Sequence, residues 1–236
     1  MKRATTIQLN QINQDFYRAT AAEFDATRQG GWPGWGRLLP ALDLPLHSLL
    51  DLGCGNGRLG VFLAARQAQP FTYIGIDSSV DLLARARRQL ARDPNIALKL
   101  IQRDIVLESL PPERAQLVAL IGLIHHVPGF ANRRRLLASA AQRVQPGGCL
   151  VFAAWRFYER ERFRRRIVPW PAGIDVERHD YLLDWRRGER ALRYCHYVDD
   201  SEHAQLIAAT GLRVTADFRA DGADGDLNRY TVLQKG

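Results

Sequence analysis

The chain has 236 residues, 46% of them hydrophobic and 25% charged, enough for one well-buried domain carrying an insertion. No apolar run approaches the roughly 20 residues of a membrane span, and the polar stretch from Met1 to Asn13 lacks the apolar core of a secretory leader, so a cytoplasmic chain without membrane contact is expected. Cys54, Cys149 and Cys195 are odd in number, far apart and without metal-ligand spacing, which argues against a disulfide framework and gives no metal site.

The net charge of +8 is almost wholly arginine, since lysine stands only at Lys2, Lys99 and Lys235. Such an excess suits an anionic partner such as nucleic acid, or a source that simply favours arginine. Composition does not separate the two.

Apolar spacing at Ile12, Phe16, Ala19 and Phe24 predicts a helix over residues 10–28. A turn from Gly30 to Gly36 and a short helix from Trp35 to Leu42 follow, ended by Pro45. These make residues 1–46 an N-terminal helical cap. From His47 onward, short apolar runs alternate with helical stretches. Strands are expected at Ser48–Leu52, Phe71–Ile76, Ala97–Gln102, Leu117–Ile124 and Cys149–Ala154. Helices are expected at Arg58–Gln67, Val80–Arg92 and Asn132–Val144, the last stopped by Pro146-Gly147-Gly148. The fully apolar run at Leu117–Ile124 suits the centre of a parallel sheet. Residues 155–190, rich in arginine and tryptophan, break the rhythm and read as an insertion into a domain spanning 47–236. A helix at Ser201–Thr210 and strands at Leu212–Phe218 and Arg229–Gln234 close the chain, the two strands as an antiparallel hairpin. The fold class is α/β, doubly wound and Rossmann-like.

The run Leu49-Leu50-Asp51-Leu52-Gly53-Cys54-Gly55-Asn56-Gly57 sits at a strand-to-helix turn. Its glycines let the backbone turn sharply and approach a ligand. Gly55, Gly57 and Gly60 also satisfy the dinucleotide spacing, but a pyrophosphate would not tolerate Asp51 beside it, whereas the ammonium of a methionine moiety would welcome it. Asp77 ends the second strand, where a carboxylate can accept both ribose hydroxyls, and Asp104 ends the third, within reach of an adenine amino group. Each acid alone could merely cap the following helix. Three in register with the glycine loop favour a ligand.

This pattern resembles the class I methyltransferases over nearly the whole chain. The resemblance implies a seven-stranded, mostly parallel sheet with an antiparallel last strand, and S-adenosylmethionine as cofactor. It implies cofactor contacts from Asp51, Gly53, Cys54, Gly55, Gly57 and Asp77, and from Ser78, Asp104, Ile105 and Gly122. The flanks resemble one family more closely: the tRNA methyltransferases that esterify carboxymethyluridine at the wobble position, including the methyltransferase domain of the AlkB-like tRNA enzymes. The similar segments are Phe24-Asp25-Ala26-Thr27-Arg28 with Gly31-Trp32-Pro33, Leu120 to His126, Ile167-Val168-Pro169-Trp170, Arg193 to Tyr197, and Gly225 to Lys235. The eukaryotic members work with a small zinc-binding activator subunit.

A carboxylate acceptor has a pKa of roughly 4 and is already ionised at neutral pH, so it needs holding rather than a base. Arg28 is the expected carboxylate grip, and His125 and His126, after the fourth strand, are the expected positioning groups at the methyl. Trp32, Trp155, Arg156, Arg160, Arg164 and His196 are the expected acceptor contacts. Six arginines fall between Arg156 and Arg166, interleaved with Phe157, Tyr158 and Phe163, a composition that suits the phosphates and splayed bases of a tRNA anticodon loop as well as a solvated helix face. The first rival is a small-molecule methyltransferase sharing every cofactor residue. The second is a non-catalytic cofactor-binding scaffold, against which the intact acids argue.

Overall fold

The computed structural model describes residues 1–26, 30–185 and 191–236. Arg28 therefore lies outside the described residues, as do Arg186, Arg187 and Arg190. The elements in chain order are α1 (Arg3–Ala26), α2 (Pro33–Leu38), β1 (Ser48–Leu52), α3 (Arg58–Ala64), β2 (Phe71–Asp77), α4 (Val80–Leu90), β3 (Ile96–Gln102), β4 (Ala115–Ile121), α5 (Phe130–Arg143) and β5 (Val144–Trp155). They continue with α6 (Glu161–Arg164), β6 (Ile167–Val168), β7 (Asp180–Trp185), β8 (Ala191–His196), α7 (Asp200–Ala208), β9 (Arg213–Ala220) and β10 (Asn228–Gln234).

Seven strands form one sheet in the order β3-β2-β1-β4-β5-β10-β9. β1 to β5 run parallel, and β10 runs antiparallel to both β5 and β9. This is the Rossmann-like α/β fold with a single reversed strand that the sequence predicts. Strand alternation feeds two cores, one on each face. Leu49 of β1 joins Leu59 and Leu63 of α3 and Leu83 and Leu90 of α4 on one side, while its neighbour Leu50 joins Leu136 and Leu137 of α5 and Leu206 of α7 on the other. α4 starts where Ser79 accepts the Leu82 amide at 3.3 Å, and carries Asp81 in its first turn and Arg87 and Arg88 in its last, matching the helix dipole.

The stretch read as an insertion, residues 155–190, contributes strands of its own. β6, β7 and β8 form a second, antiparallel sheet that extends to His196. The helix expected to stop at Pro146-Gly147-Gly148 ends earlier, at Arg143, and β5 begins at Val144, so those three residues belong to the strand. Gly148 is needed there: a Cβ would lie 2.3 Å from the Gln116 carbonyl oxygen of β4. The strand expected through Ile124 ends at Ile121, and Ile124–His126 form a 3-10 turn after Gly122 at φ +81°. α1 begins at Arg3 rather than residue 10 and packs along β8.

Candidate active site

A cavity of about 510 Å³ opens at the carboxyl ends of β1 to β5, where ligands bind in sheets of this order. Its first half is built by the β1–α3 turn. Gly53, Gly55 and Gly57 take φ of +72°, +55° and +81°, conformations that L side chains rarely adopt. Asp51, Gly53, Cys54 and Gly55 line the cavity directly. Gly57 does not: it starts α3, and a Cβ there would meet Leu90 Cδ1 at 2.7 Å. Its part is to let α3 approach α4.

Asp51 is 4% exposed, and its Oδ2 accepts the Tyr73 hydroxyl at 2.7 Å. Burial raises its pKa to about 7, against the Tyr73 hydrogen bond, with Asp77 adding to the rise and Arg58 opposing it. A buried carboxyl so displaced lacks a full counter-charge, and a ligand ammonium would supply one. Asp77 accepts the Gly55 amide (2.9 Å) and the Ser79 amide (2.9 Å). Its pKa is also raised by burial, with those amides working against the rise. Ser78 lines the same wall. Asp104, next to Ile105, takes hydrogen bonds from Asn10 (2.6 Å) and Gln14 (2.8 Å) of α1 and from the Val106 amide (3.0 Å). These acids, the glycine turn and Gly122 fit S-adenosylmethionine: an acid for the ammonium, an acid beside the sugar and an acid beside the base.

The second half of the cavity is bounded by Trp32, His125, His126, Trp155, Phe163 and Trp185. Both ring nitrogens of His126 are engaged. Its Nδ1 lies 3.1 Å from the Tyr194 carbonyl oxygen and 3.4 Å from the Asn13 amide nitrogen. Its Nε2 lies 3.0 Å from the Tyr17 hydroxyl. The two histidine rings lie 4.2 Å apart, and His125 faces Trp155 at 5.4 Å. Arg162, Arg166 and Arg193 also line this half.

Four expected acceptor contacts lie elsewhere. Arg156 is 3% exposed and turned into the protein, on the Val198 carbonyl (2.9 Å), Glu159 (2.5 Å) and Asp200 (3.1 Å). Arg160 pairs with Asp224 at 3.2 Å and with Asp226. Arg164 donates to the Tyr158 carbonyl at 2.8 Å. His196 is clamped between Asp180 (2.7 Å) and Glu202 (2.8 Å). Burial alone would lower its pKa, and the two carboxylates raise it instead. It joins a buried network in which Arg133, 1% exposed, bridges Glu202 (2.6 Å) and Glu177 (3.0 Å). Glu177, Asp180 and His196 come close enough to hold a cation, but Arg133 already pairs with Glu177, and Asp180 is already engaged by His196, the Tyr194 hydroxyl and the Glu177 amide. The network fastens β8 and α7 to α5.

Sequence reasoning missed Tyr73 and the contribution of α1. Asn10, Asn13, Gln14 and Tyr17 form one polar stripe at helical spacing, and that stripe was the available signal. It also missed that Arg162, Arg166 and Arg193 line the cavity, beside Arg58 and Arg103.

Residues 49–148 match a family described as a methyltransferase domain. The chain is 25% identical to a methyltransferase of Encephalitozoon cuniculi over 93% of each chain. It is 36% identical to the trans-aconitate 2-methyltransferase of Methylobacterium nodulans over 49% of this chain and 43% of that protein. Among solved structures it resembles a S-adenosylmethionine-dependent methyltransferase from Clostridium acetobutylicum (TM-score 0.66, 13% identity, 93% of this chain and 99% of that one). It also resembles the N-methyltransferase NodS from Bradyrhizobium japonicum in complex with S-adenosyl-L-homocysteine (TM-score 0.60, 17% identity, 95% and 98%). With the matched domain, the sheet order and the acids at the ends of β1, β2 and β3, the chain is a class I S-adenosylmethionine-dependent methyltransferase.

Proposed function

We propose that the enzyme transfers its methyl group to a carboxylate oxygen of a small organic acid. The observation that carries this reading is the charge of the acceptor half of the cavity. Arg162, Arg166 and Arg193 line it together with a single acid of that wall, Asp184, which leaves an excess of cations, and none of the three arginines has a carboxylate within ion-pairing distance among the described residues. The relative named trans-aconitate 2-methyltransferase, whose named acceptor is a carboxylic acid, supports the same reading.

The cofactor supplies an electrophilic methyl on a sulfonium. Asp51, Asp77 and Asp104 orient it, and the glycine turn lets it lie against the backbone. A carboxylate acceptor arrives ionised, so no residue has to remove a proton. The aromatic wall of Trp32, Trp155 and Trp185 excludes water, which favours a step in which opposite charges are neutralised. His126, its Nε2 engaged by Tyr17, is a fixed wall of the site rather than a free base.

A second reading is supported by the exposed Arg162 that lines the cavity and by the flanking motifs: the same ester formed on a wobble carboxymethyluridine in a tRNA anticodon loop. A small zinc-binding activator subunit would then be a partner. The test is radiolabelled S-adenosylmethionine offered to a panel of di- and tricarboxylic acids, and separately to tRNA with and without mild alkaline treatment. Base-labile label on an acid supports the first reading. Label confined to alkali-treated tRNA moves the second to the front. Base-stable label on an amine or hydroxyl refutes both.

A further inference from the structure

Several of the described arginines on and around the insertion already have a carboxylate partner. Arg133, Arg156, Arg160, Arg165, Arg219 and Arg229 each pair with a carboxylate. Arg193 differs. It is 8% exposed, yet among the described residues no carboxylate lies within ion-pairing distance of it. Its guanidinium carbon sits 4.8 Å from the centroid of Trp155 and 5.2 Å from that of Phe16.

A guanidinium held out of water without a counter-ion is costly. Ring faces and a hydrogen bond with the Cys195 side chain offset part of that cost, but neither brings a negative charge. The N–H fork of a guanidinium matches a carboxylate, and Arg193 lines the acceptor half of the cavity. Its placement is fixed on three sides. β8 carries it, Phe16 belongs to α1, and Trp155 ends β5. The next residue on β8, Tyr194, holds His126 through its carbonyl. β8 thus sets both the cation and the histidine.

We propose that Arg193 grips the acceptor's carboxylate, with Phe16 and Trp155 fixing the guanidinium and Arg162 and Arg166 drawing the anion in from the rim. This rests on the carboxylate reading above. The new C–O bond forms from a lone pair of the held carboxylate while the methyl–sulfur bond breaks and its electron pair stays on sulfur. No proton moves, and Arg193 keeps its charge.

The test uses benzoate and its neutral isostere benzamide as probes, added to the full chain saturated with S-adenosylhomocysteine and followed by saturation-transfer NMR and calorimetry. Wild type is expected to bind benzoate and not benzamide. Arg193→Gln is expected to weaken benzoate by about tenfold or more, and Arg193→Lys by less, because it keeps the charge and loses the fork. Affinity for S-adenosylhomocysteine reports that both variants are folded. Benzoate binding unchanged in R193Q, equal binding of the two probes to wild type, or no benzoate binding to wild type overturns the proposal. The functional reading is tested separately with the labelled acids. Ester formation with KM unchanged in R193Q sinks the role of Arg193 and leaves the reading standing. Benzoate held through Arg193 with no ester formed on any acid or tRNA does the reverse.

Discussion

Asp51 should make cofactor binding depend on pH in a range where few carboxyls titrate. With a pKa of about 7 in the free enzyme, it is mostly protonated at pH 5.5 and mostly ionised at pH 7.5. An ammonium in contact lowers a carboxyl's pKa by up to about three, so the bound enzyme keeps Asp51 ionised across this window. A carboxyl raised to that value binds its proton more tightly in the free enzyme, and the proton must leave before the ligand's charge is met. The ionised fraction falls from about three-quarters to about one-thirtieth between the two pH values, so affinity for S-adenosylhomocysteine is expected to drop about 25-fold on acidification. Isothermal calorimetry at four or five pH values measures this, and proton release on binding is an independent check. Asp51→Asn should bind weakly at every pH and lose the dependence. Tyr73→Phe removes a hydrogen bond that favours the ionised form, so its transition should move to higher pH. A flat profile in wild type, or an unchanged slope in D51N, would refute the assignment of the ammonium to Asp51.

Gly57→Ala forces a side chain into a left-handed conformation and against Leu90, so urea unfolding should show a loss of about 2 kcal/mol or more. His196→Leu leaves Asp180 and Glu202 facing each other without a cation between them. Its unfolding free energy should fall by about 3–5 kcal/mol, and an unchanged midpoint would show that the network is not structural. Glu159 is held down to about 2 by Arg219, Tyr197 and Arg156 in spite of burial. Because its folded pKa lies below the unfolded value, it contributes stability above about pH 4.5 that is lost as the pH falls toward 2. Glu159→Gln should therefore flatten the melting temperature over that acid range while lowering it at pH 7.

The architecture was readable because it rests on periodicity. The apolar runs at β1, β2 and β4 and the amphipathic spacing of α4 are local patterns that survive translation into a sheet. The glycine turn and its acids were readable for a related reason, since each lies within a residue or two of a strand end. The acceptor half was not. Whether an arginine between 156 and 166 turns inward or outward depends on carboxylates remote in sequence: Asp224 and Asp226 draw Arg160 away, and Asp200 and the Val198 carbonyl draw Arg156 in. His196 was expected at the substrate because histidines near a site attract that reading, yet Asp180 and Glu202 claim both its nitrogens. Arg193 stood in a recognised segment, but only the folded chain shows Phe16 and Trp155 on either side of it.

The contact between α1 and β8 has a bearing on how such an enzyme could be re-engineered. Residues far apart in the chain meet there: Phe16 reaches Arg193 and Trp185, while Tyr17 reaches the histidine that β8 holds. A chimera that borrows only the insertion from another methyltransferase would set a foreign strand beneath a native helix, and one that borrows only the helix would make the opposite mismatch. Acceptor preference in this architecture is therefore inherited as a two-piece unit, and grafts should carry residues 1–26 and 156–196 together.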